Sequence, residues 1–290
     1  MDGVLAPGTK TLYKSAWLKY AQFAETYGLT QTLPLNKDHL CCFITHLHEK
    51  NLSPSTITSI ISGLSYPHKL HNLFDPTHAF PVRQLLTSLN KKFKCPDNRY
   101  PISESVLFKL LDNISFITLH RYNQLLLSAM FTYAFYFALR VGEITKSQHN
   151  IQLSQVKANE KEVYIDFLSY KHSSNKTEIH MIKSSNVPYC PVKILNEYLL
   201  WRGNQEGPLF ILEGKAIART YFSKQLTNLL KLSQINGRIT SHSFRYGACN
   251  HWLNLGYTEL QIMKKGRWHS TAILKYIRGL VDHTHTSEQG

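Results

Sequence analysis

The feature that most restricts this chain is the apolar run from Leu119 to Val141, which closes on an arginine. Leu125, Leu126, Ala129, Met130, Tyr133 and Phe137 recur at helical spacing, so the segment reads as the buried core helix of a domain. Its most apolar part, Leu125 to Leu139, is interrupted by Ser128 and Thr132 and falls short of the ~20 residues a membrane span needs. The run ends as Ala138-Leu-Arg-Val-Gly-Glu143-Ile. A guanidinium at the end of so apolar a helix requires a partner, because an isolated charge is costly to bury. Glu143 offers an internal ion pair. A phosphate facing Arg140, with Glu143 orienting the arginine, is the functional reading, and both can hold together.

Charge points to what such an arginine meets. The 290 residues carry a formal net charge of +14, which favours a polyanionic partner, nucleic acid before an anionic membrane surface. A hydrophobic content of 43% supports real cores, so the chain is a folded protein and not a basic tail. The N-terminal Met1-Asp-Gly-Val-Leu-Ala-Pro7 has neither a basic flank nor an apolar signal core, and the chain is expected to be neither secreted nor membrane-inserted. Cys41, Cys42, Cys95, Cys190 and Cys249 are odd in number and form no Cys-x-x-Cys pair, which reads as reduced thiols. The histidines form no His-Glu-x-x-His, and His283 and His285 lie in a polar tail. No metal is expected.

Two domains fit this length. The segment from Gly8 to Lys94 reads as helical. Leu12, Trp17, Tyr20, Phe23 and Tyr27 recur at helical spacing and Gly28 fits a stop. Asn36 is an N-cap for a second helix, Ser53-Pro54 opens a third, and a fourth runs from about Pro81 to Phe93. The fourth ends in Lys91-Lys-Phe-Lys94, a solvated helix end or a phosphate-contacting cluster. Cys95-Pro-Asp-Asn-Arg-Tyr-Pro101 reads as an extended linker. The expected organisation is a helical domain at 1–94, a linker at 95–101 and a second domain at 102–290, in which Ser103 caps the first helix. Glu162 to Leu168 and Lys176 to Ile182 alternate around a turn-rich stretch, giving a β-hairpin with Lys171 near its turn inside an otherwise helical protein. Helices follow from Tyr189-Cys-Pro-Val to Leu200 and from Arg219 to Leu232, with a short extended segment at Pro208-Leu-Phe-Ile.

The C-terminal region carries the chemistry. Thr240-Ser-His-Ser-Phe-Arg-Tyr246 puts His242 and Arg245 on one helical face. Gly266-Arg-Trp-His-Ser-Thr-Ala-Ile-Leu-Lys-Tyr276 carries a tyrosine in an apolar-periodic run, with Trp268 about two turns earlier. A His and an Arg together suit a phosphoryl centre, and a tyrosine can attack it.

With Arg140, Lys171, His242, Arg245, Trp268 and Tyr276 in that order, the chain resembles the tyrosine recombinase (phage integrase-like) family. The wording Gly-Arg-Trp…Tyr-Ile-Arg is similar to recombinases of eukaryotic mobile elements of the DIRS-like and Crypton-like kinds. The motifs cover about residues 100 to 280. The resemblance implies a mainly α fold with a small antiparallel β-hairpin in the catalytic domain, and two domains forming a C-shaped DNA clamp. It makes Arg140 and Arg245 the catalytic arginines, Lys171 the general acid, His242 a proton acceptor, Trp268 a packing and hydrogen-bonding residue, and Tyr276 the nucleophile. Trp268 lies eight residues before Tyr276, where many relatives have nine, so Arg267 or His269 can share its role. Lys176 competes with Lys171, because hairpin register is not fixed by sequence. Glu143 is a supporting residue, and Lys91, Lys92, Lys94 and Lys176 are DNA contacts. The implied partners are double-stranded DNA carrying recombination sites and further copies of the chain: a tetramer on DNA, a dimer or monomer off it. No cofactor and no membrane partner are implied. The same chemistry serves a type IB-like topoisomerase, and a relative that kept only DNA binding is the non-enzymatic alternative. The implied location is the nucleus for a eukaryotic source and the cytoplasm or nucleoid otherwise.

Overall fold

The computed structural model describes residues 5, 7–93, 98–167, 177–183 and 188–268. The chain divides into two compact units, Met1–Asp97 and Asn98–Gly290.

The first unit contains helices α1 (Pro7–Thr26), α2 (Lys37–Glu49), α3 (Pro54–Leu70) and α4 (Phe80–Lys92). Local chemistry sets their ends. The Asn36 side chain accepts from the N–H of Asp38 at 2.7 Å and caps α2; Ser53 accepts from the Thr56 N–H at 3.2 Å and caps α3. Gly28 takes the left-handed conformation just past α1 (φ +61°). Tyr20, Phe23, Leu40, Phe43, Ile44, Ile57, Ile61 and Leu64 form the core. The buried stripe of α1 differs from the periodic set in the sequence: Leu12 and Tyr27 are exposed, and Ala16 and Ala24 are buried with Tyr20 and Phe23. The reason is close helix packing. A Cβ placed on Gly63 of α3 would lie 2.8 Å from the Cβ of Ala16, so only small residues fit at this crossing point of α1 and α3.

The second unit is also mainly helical. It contains α5 (Glu104–Asp112), α6 (Ile114–Ile117), α7 (Arg121–Tyr136), α8 (Val141–Ile144), strands β1 (Val156–Ala158), β2 (Glu162–Phe167) and β3 (Thr177–Ile182), α9 (Pro191–Arg202), β4 (Ile211–Leu212), β5 (Lys215–Ala216), α10 (Arg219–Leu232), α11 (Ser243–Asn254) and α12 (Glu259–Gly266). Helix α7 is buried from Leu125 to Tyr136 on nearly every side, which explains its unbroken apolar character. β2 and β3 form an antiparallel hairpin in which Phe167 pairs with Thr177. Val163, Ile165 and Phe167 point inward from β2. β1 adds a third strand to this sheet; its short, mostly exposed span carries too little alternation to be read from sequence. The short pair β4–β5 turns through Glu213 and Gly214, both at positive φ (52° and 71°), the turn hand that suits a twisted hairpin.

Two boundaries differ from those read in the sequence. The apolar helix stops at Tyr136, not near Val141. Ala138 adopts φ +44°, the Leu139 N–H bonds the Ala134 carbonyl at 3.2 Å and the Ala138 N–H bonds the Phe135 carbonyl at 3.0 Å. These are the paired bonds of a left-handed helix cap. Arg140 therefore begins the next helix rather than ending the long one. Residues 98–101, placed in the linker by Pro96 and Pro101 with Asp97 and Asn98, are instead built into the second unit. The Tyr100 N–H bonds the Arg238 carbonyl and the Ile102 N–H bonds the Ser243 carbonyl, both at 3.1 Å. An extended stretch leaves its N–H groups available for such pairing. Among the described residues, no helix is long and apolar enough to cross a membrane.

Candidate active site

Two helix ends build the site, and both turn left-handed at a residue other than glycine. At the end of α7 this is Ala138; at the end of α12 it is Arg267 (φ +56°). The second end repeats the cap of the first: the Trp268 N–H bonds the Met263 carbonyl at 3.0 Å and the Arg267 N–H bonds the Lys264 carbonyl at 3.2 Å. Each helix C-terminus presents carbonyl oxygens and the negative end of the peptide dipoles, so each attracts cations.

Arg245, on α11, joins the two ends. Its Nη1 donates to the Ala138 carbonyl and its Nη2 to the Gly266 carbonyl at 3.0 Å. The side chain is 1% exposed. Its guanidinium lies 4.4 Å from the ring centre of Trp268, a cation–π contact in a desolvated place. Gly266 makes that stack possible: a Cβ there would fall 1.6 Å from the Trp268 ring. Beneath Trp268 lies a small apolar cluster of Ala138, Ala248, Cys249, Trp252 and Ile262. Burial pushes the Cys249 thiol up to about 12 even though the Arg245 charge lowers it; this cysteine is an inert packing group.

Arg140 approaches the same place from the other side. Its Nη2 donates to the Arg267 carbonyl at 3.3 Å, next in the chain to the carbonyl that Arg245 holds. Its main-chain N–H donates to Glu143 Oε2 at 2.8 Å and its Nη1 to Glu143 Oε1 at 3.2 Å. The Arg140 side chain is 25% exposed against 2% for Glu143. The ion pair expected from the spacing of Arg140 and Glu143 is thus present. Two arginines remote in sequence converge through consecutive carbonyls of one turn.

A third arginine joins them. The Arg267 side chain is 0% exposed, and its Nη2 donates to Glu143 Oε2 at 2.8 Å. Nη1 also bonds the Phe137 carbonyl at 3.3 Å, and the guanidinium lies 4.1 Å from the Phe167 ring centre. Burial pushes the Glu143 carboxyl upward, but the charges of Arg267, Arg140 and Arg245 and the Arg140 N–H outweigh it, and the net shift is downward. Glu143 is therefore an ionised carboxylate inside the protein, shared by two guanidiniums. Sequence spacing made Arg267 an alternative to Trp268 at a phosphate. The left-handed cap turns it inward instead, a redirection that no local motif signals.

His242 precedes α11 by one residue, and the N–H of Arg245 bonds its carbonyl at 3.0 Å, so the His-x-x-Arg spacing does place both at one helix start. The His242 and Tyr246 rings pack near-perpendicular with their centres 5.7 Å apart. Tyr246 in turn lies under Arg99, whose guanidinium is 5.3 Å from the ring centre. Arg99 and Tyr246 are supports that the sequence reading missed; the linker assignment hid the first of them.

Arg140, Glu143, Arg245 and Trp268 are thus brought together, with His242 on the helix start that carries Arg245. In the first unit, Lys91 and Lys92 are exposed at the end of α4. Lys92 Nζ lies 5.6 Å from the Phe93 ring centre, and Phe93 packs on His48 at 4.6 Å. Gln84, Thr87, Ser88 and Lys91 line a shallow depression on that helix, and α4 contains no acidic residue. Lys94, Lys171, Lys176, His269 and Tyr276 lie outside the described residues. Phe167, the residue that stacks on Arg267, is the last of β2 before the 168–176 stretch that holds both lysines.

No protein-family model and no curated protein matches the chain. Solved structures match it in fold. A XerH site-specific recombinase bound to palindromic difH substrate, a post-cleavage complex, aligns with a TM-score of 0.69 at 14% identity over 96% of this chain and 80% of that one. A lambda integrase dimer bound to a COC′ core site aligns at 0.65 with 13% identity, over 94% and 72%. The Tn1549 transposon integrase in complex with transposon right end DNA aligns at 0.65 with 12% identity, over 98% and 95%.

Proposed function

We propose that this chain, which has the fold of the tyrosine recombinases, is a site-specific DNA recombinase that cuts and rejoins strands through a 3′-phosphotyrosine at Tyr276. One observation carries the reading. Arg140 and Arg245, from distant parts of the sequence, hold consecutive carbonyls of one turn, and that turn leads into the segment bearing Tyr276.

The chemistry follows from the residue types. The Tyr276 oxygen attacks the phosphorus of a DNA phosphodiester and the bond from phosphorus to the 5′ oxygen breaks. Charge accumulates on the non-bridging oxygens. Arg140 is the outward donor to them and Arg245 the donor at the floor; both stay cationic at any working pH. A free phenol titrates near 10, so its proton must leave during attack, to His242 or to a water that His242 holds. Lys171, or Lys176, protonates the departing 5′ oxygen. One phosphoester replaces another, so no ATP is consumed, and the 5′-hydroxyl of a second strand reverses the step. DNA bound to XerH, lambda integrase and the Tn1549 integrase supports duplex DNA as the partner, and the charge of +14 suits it. Lys91 and Lys92 would add phosphate contacts from the first unit. Assembly on DNA is taken as a tetramer, since exchange needs two duplexes.

The test is covalent capture. Wild-type protein is incubated with sheared genomic DNA, denatured in detergent, and the attached DNA ends are sequenced. Wild type should yield adducts at a recurring sequence, and Tyr276→Phe should yield none while retaining DNA affinity. Adducts that survive Tyr276→Phe, or their absence from wild type, would overturn the proposal. Supplying two recovered sites on one plasmid separates recombination from simple relaxation, which would assign a topoisomerase instead.

A further inference from the structure

We propose that Arg267 is a positioning residue that neutralises Glu143 so that the charge of Arg140 remains available to the DNA phosphate. The inference rests on the recombinase reading above and assigns Arg267 a part in it without contact with substrate.

The geometry divides the work between the two guanidiniums. Glu143 gives Arg267 the shorter side-chain contact, 2.8 Å against 3.2 Å for Arg140 Nη1. Arg267 is wholly enclosed, whereas a quarter of the Arg140 side chain remains exposed. Phe167 and the carbonyls of Phe137 and Ala138 hold Arg267 on its other sides, so it cannot turn toward a ligand without leaving the core. A carboxylate buried to this degree must be compensated. Were Arg140 its sole close counter-ion, the two would form a closed pair, and Arg140 would be drawn inward with its charge cancelled. With Arg267 in place the three groups sum to one positive charge, and Arg140 is the exposed member of the three. Glu143 then serves mainly to orient Arg140, through its main-chain N–H and one side-chain bond. Of the charges that hold the Glu143 carboxyl below its ordinary range, that of Arg267 is the largest.

A rescue experiment on the full-length protein decides it. The rate of covalent adduct formation is measured on a nicked duplex carrying a recovered site, alongside DNA affinity and the thermal unfolding midpoint. Arg267→Met should slow adduct formation about 100-fold, the scale of losing one oriented charge at a reacting phosphate, with DNA affinity changed little. Adding Glu143→Gln to Arg267→Met removes the charge that captures Arg140 and keeps an acceptor for its N–H. The double variant should recover to within about 10-fold of wild type, a coupling between neighbours that independent sites do not show. Arg267→Lys keeps the charge and should retain most of the rate. This also covers the case in which Arg267→Met fails to fold. A double variant as slow as Arg267→Met, or an Arg267→Lys as slow as Arg267→Met, overturns the inference. Loss of adducts in wild type itself would instead defeat the recombinase reading.

Discussion

The core of the first unit and the arginine corner of the second are built from opposite materials. Between α1 and α4, the buried polar side chains are Ser65, His68 and Thr77. His68 accepts the Leu35 N–H at Nε2 and bonds the Leu64 carbonyl through Nδ1, which makes it a neutral clip between segments. In the second unit, Glu143, Arg202, Arg245 and Arg267 are all buried. Arg202 shows how a buried cation is spent on structure alone: its guanidinium donates to the carbonyls of Gly203, Gln205, Pro208 and Leu209 and knots one loop. Arg245 and Arg267 also hold carbonyls, but those belong to two separate helix ends, and a carboxylate and a partly exposed arginine complete the group. The core of the first unit is held chiefly by apolar contact. Cations are concentrated where two helix C-termini can stabilise them.

Breaking the corner should therefore cost more than carving the apolar core. Glu143→Ala strands Arg267 in the interior, and chemical denaturation should report a loss of about 3–5 kcal/mol. Leu64→Ala in the first unit opens a cavity and should cost about 2–5 kcal/mol, with an effect set by how well α1 and α3 collapse. If Leu64→Ala is the clearly more damaging of the two, the contrast fails. Gly266→Ala forces a methyl into the Trp268 ring and should cost about 1–3 kcal/mol. It should also slow adduct formation, because Trp268 can no longer cover Arg245.

Acid sharpens the contrast further. The folded-state pKa of Glu143 lies below its unfolded value, so its stabilisation is complete above about pH 4.3, the ordinary glutamate value, and is lost as pH falls through the folded value. Unfolding free energy measured at successively lower pH should fall there, and Glu143→Gln should flatten that slope. Asp75 in the first unit is also held low, by Ser65 and Thr77 against the pull of burial, so a residual slope will persist in Glu143→Gln. The smallest effect belongs to a cap: Asn36→Ala should cost about 1 kcal/mol in thermal unfolding and leave adduct chemistry intact.

Much of this was legible residue by residue. Asn36, Ser53 and Ser103 cap the helices they were expected to cap, because a cap is an interaction between neighbours in sequence. The β-hairpin of Glu162 to Ile182 showed in its alternation. The pairing of Arg140 with Glu143 followed from their spacing. What escaped was remote or unusual. Ala138 and Arg267 occupy left-handed caps where glycine is the ordinary signal, so neither helix end announced itself. Arg99 was hidden by prolines that read as a linker, although its backbone pairs with Arg238.

The amino-acid order determined which segments are helical, where most of them start, and that an arginine closing an apolar run needs an anionic partner. These depend on propensity, periodicity and charge, which act over a few residues. Only the tertiary structure decided that a second guanidinium, that of Arg267, also answers Glu143. The sharing of Glu143 between Arg267 and Arg140, and the exposure left to Arg140, arise from two helix ends meeting across Arg245. That meeting depends on how whole helices pack, and no stretch of the chain carries it alone.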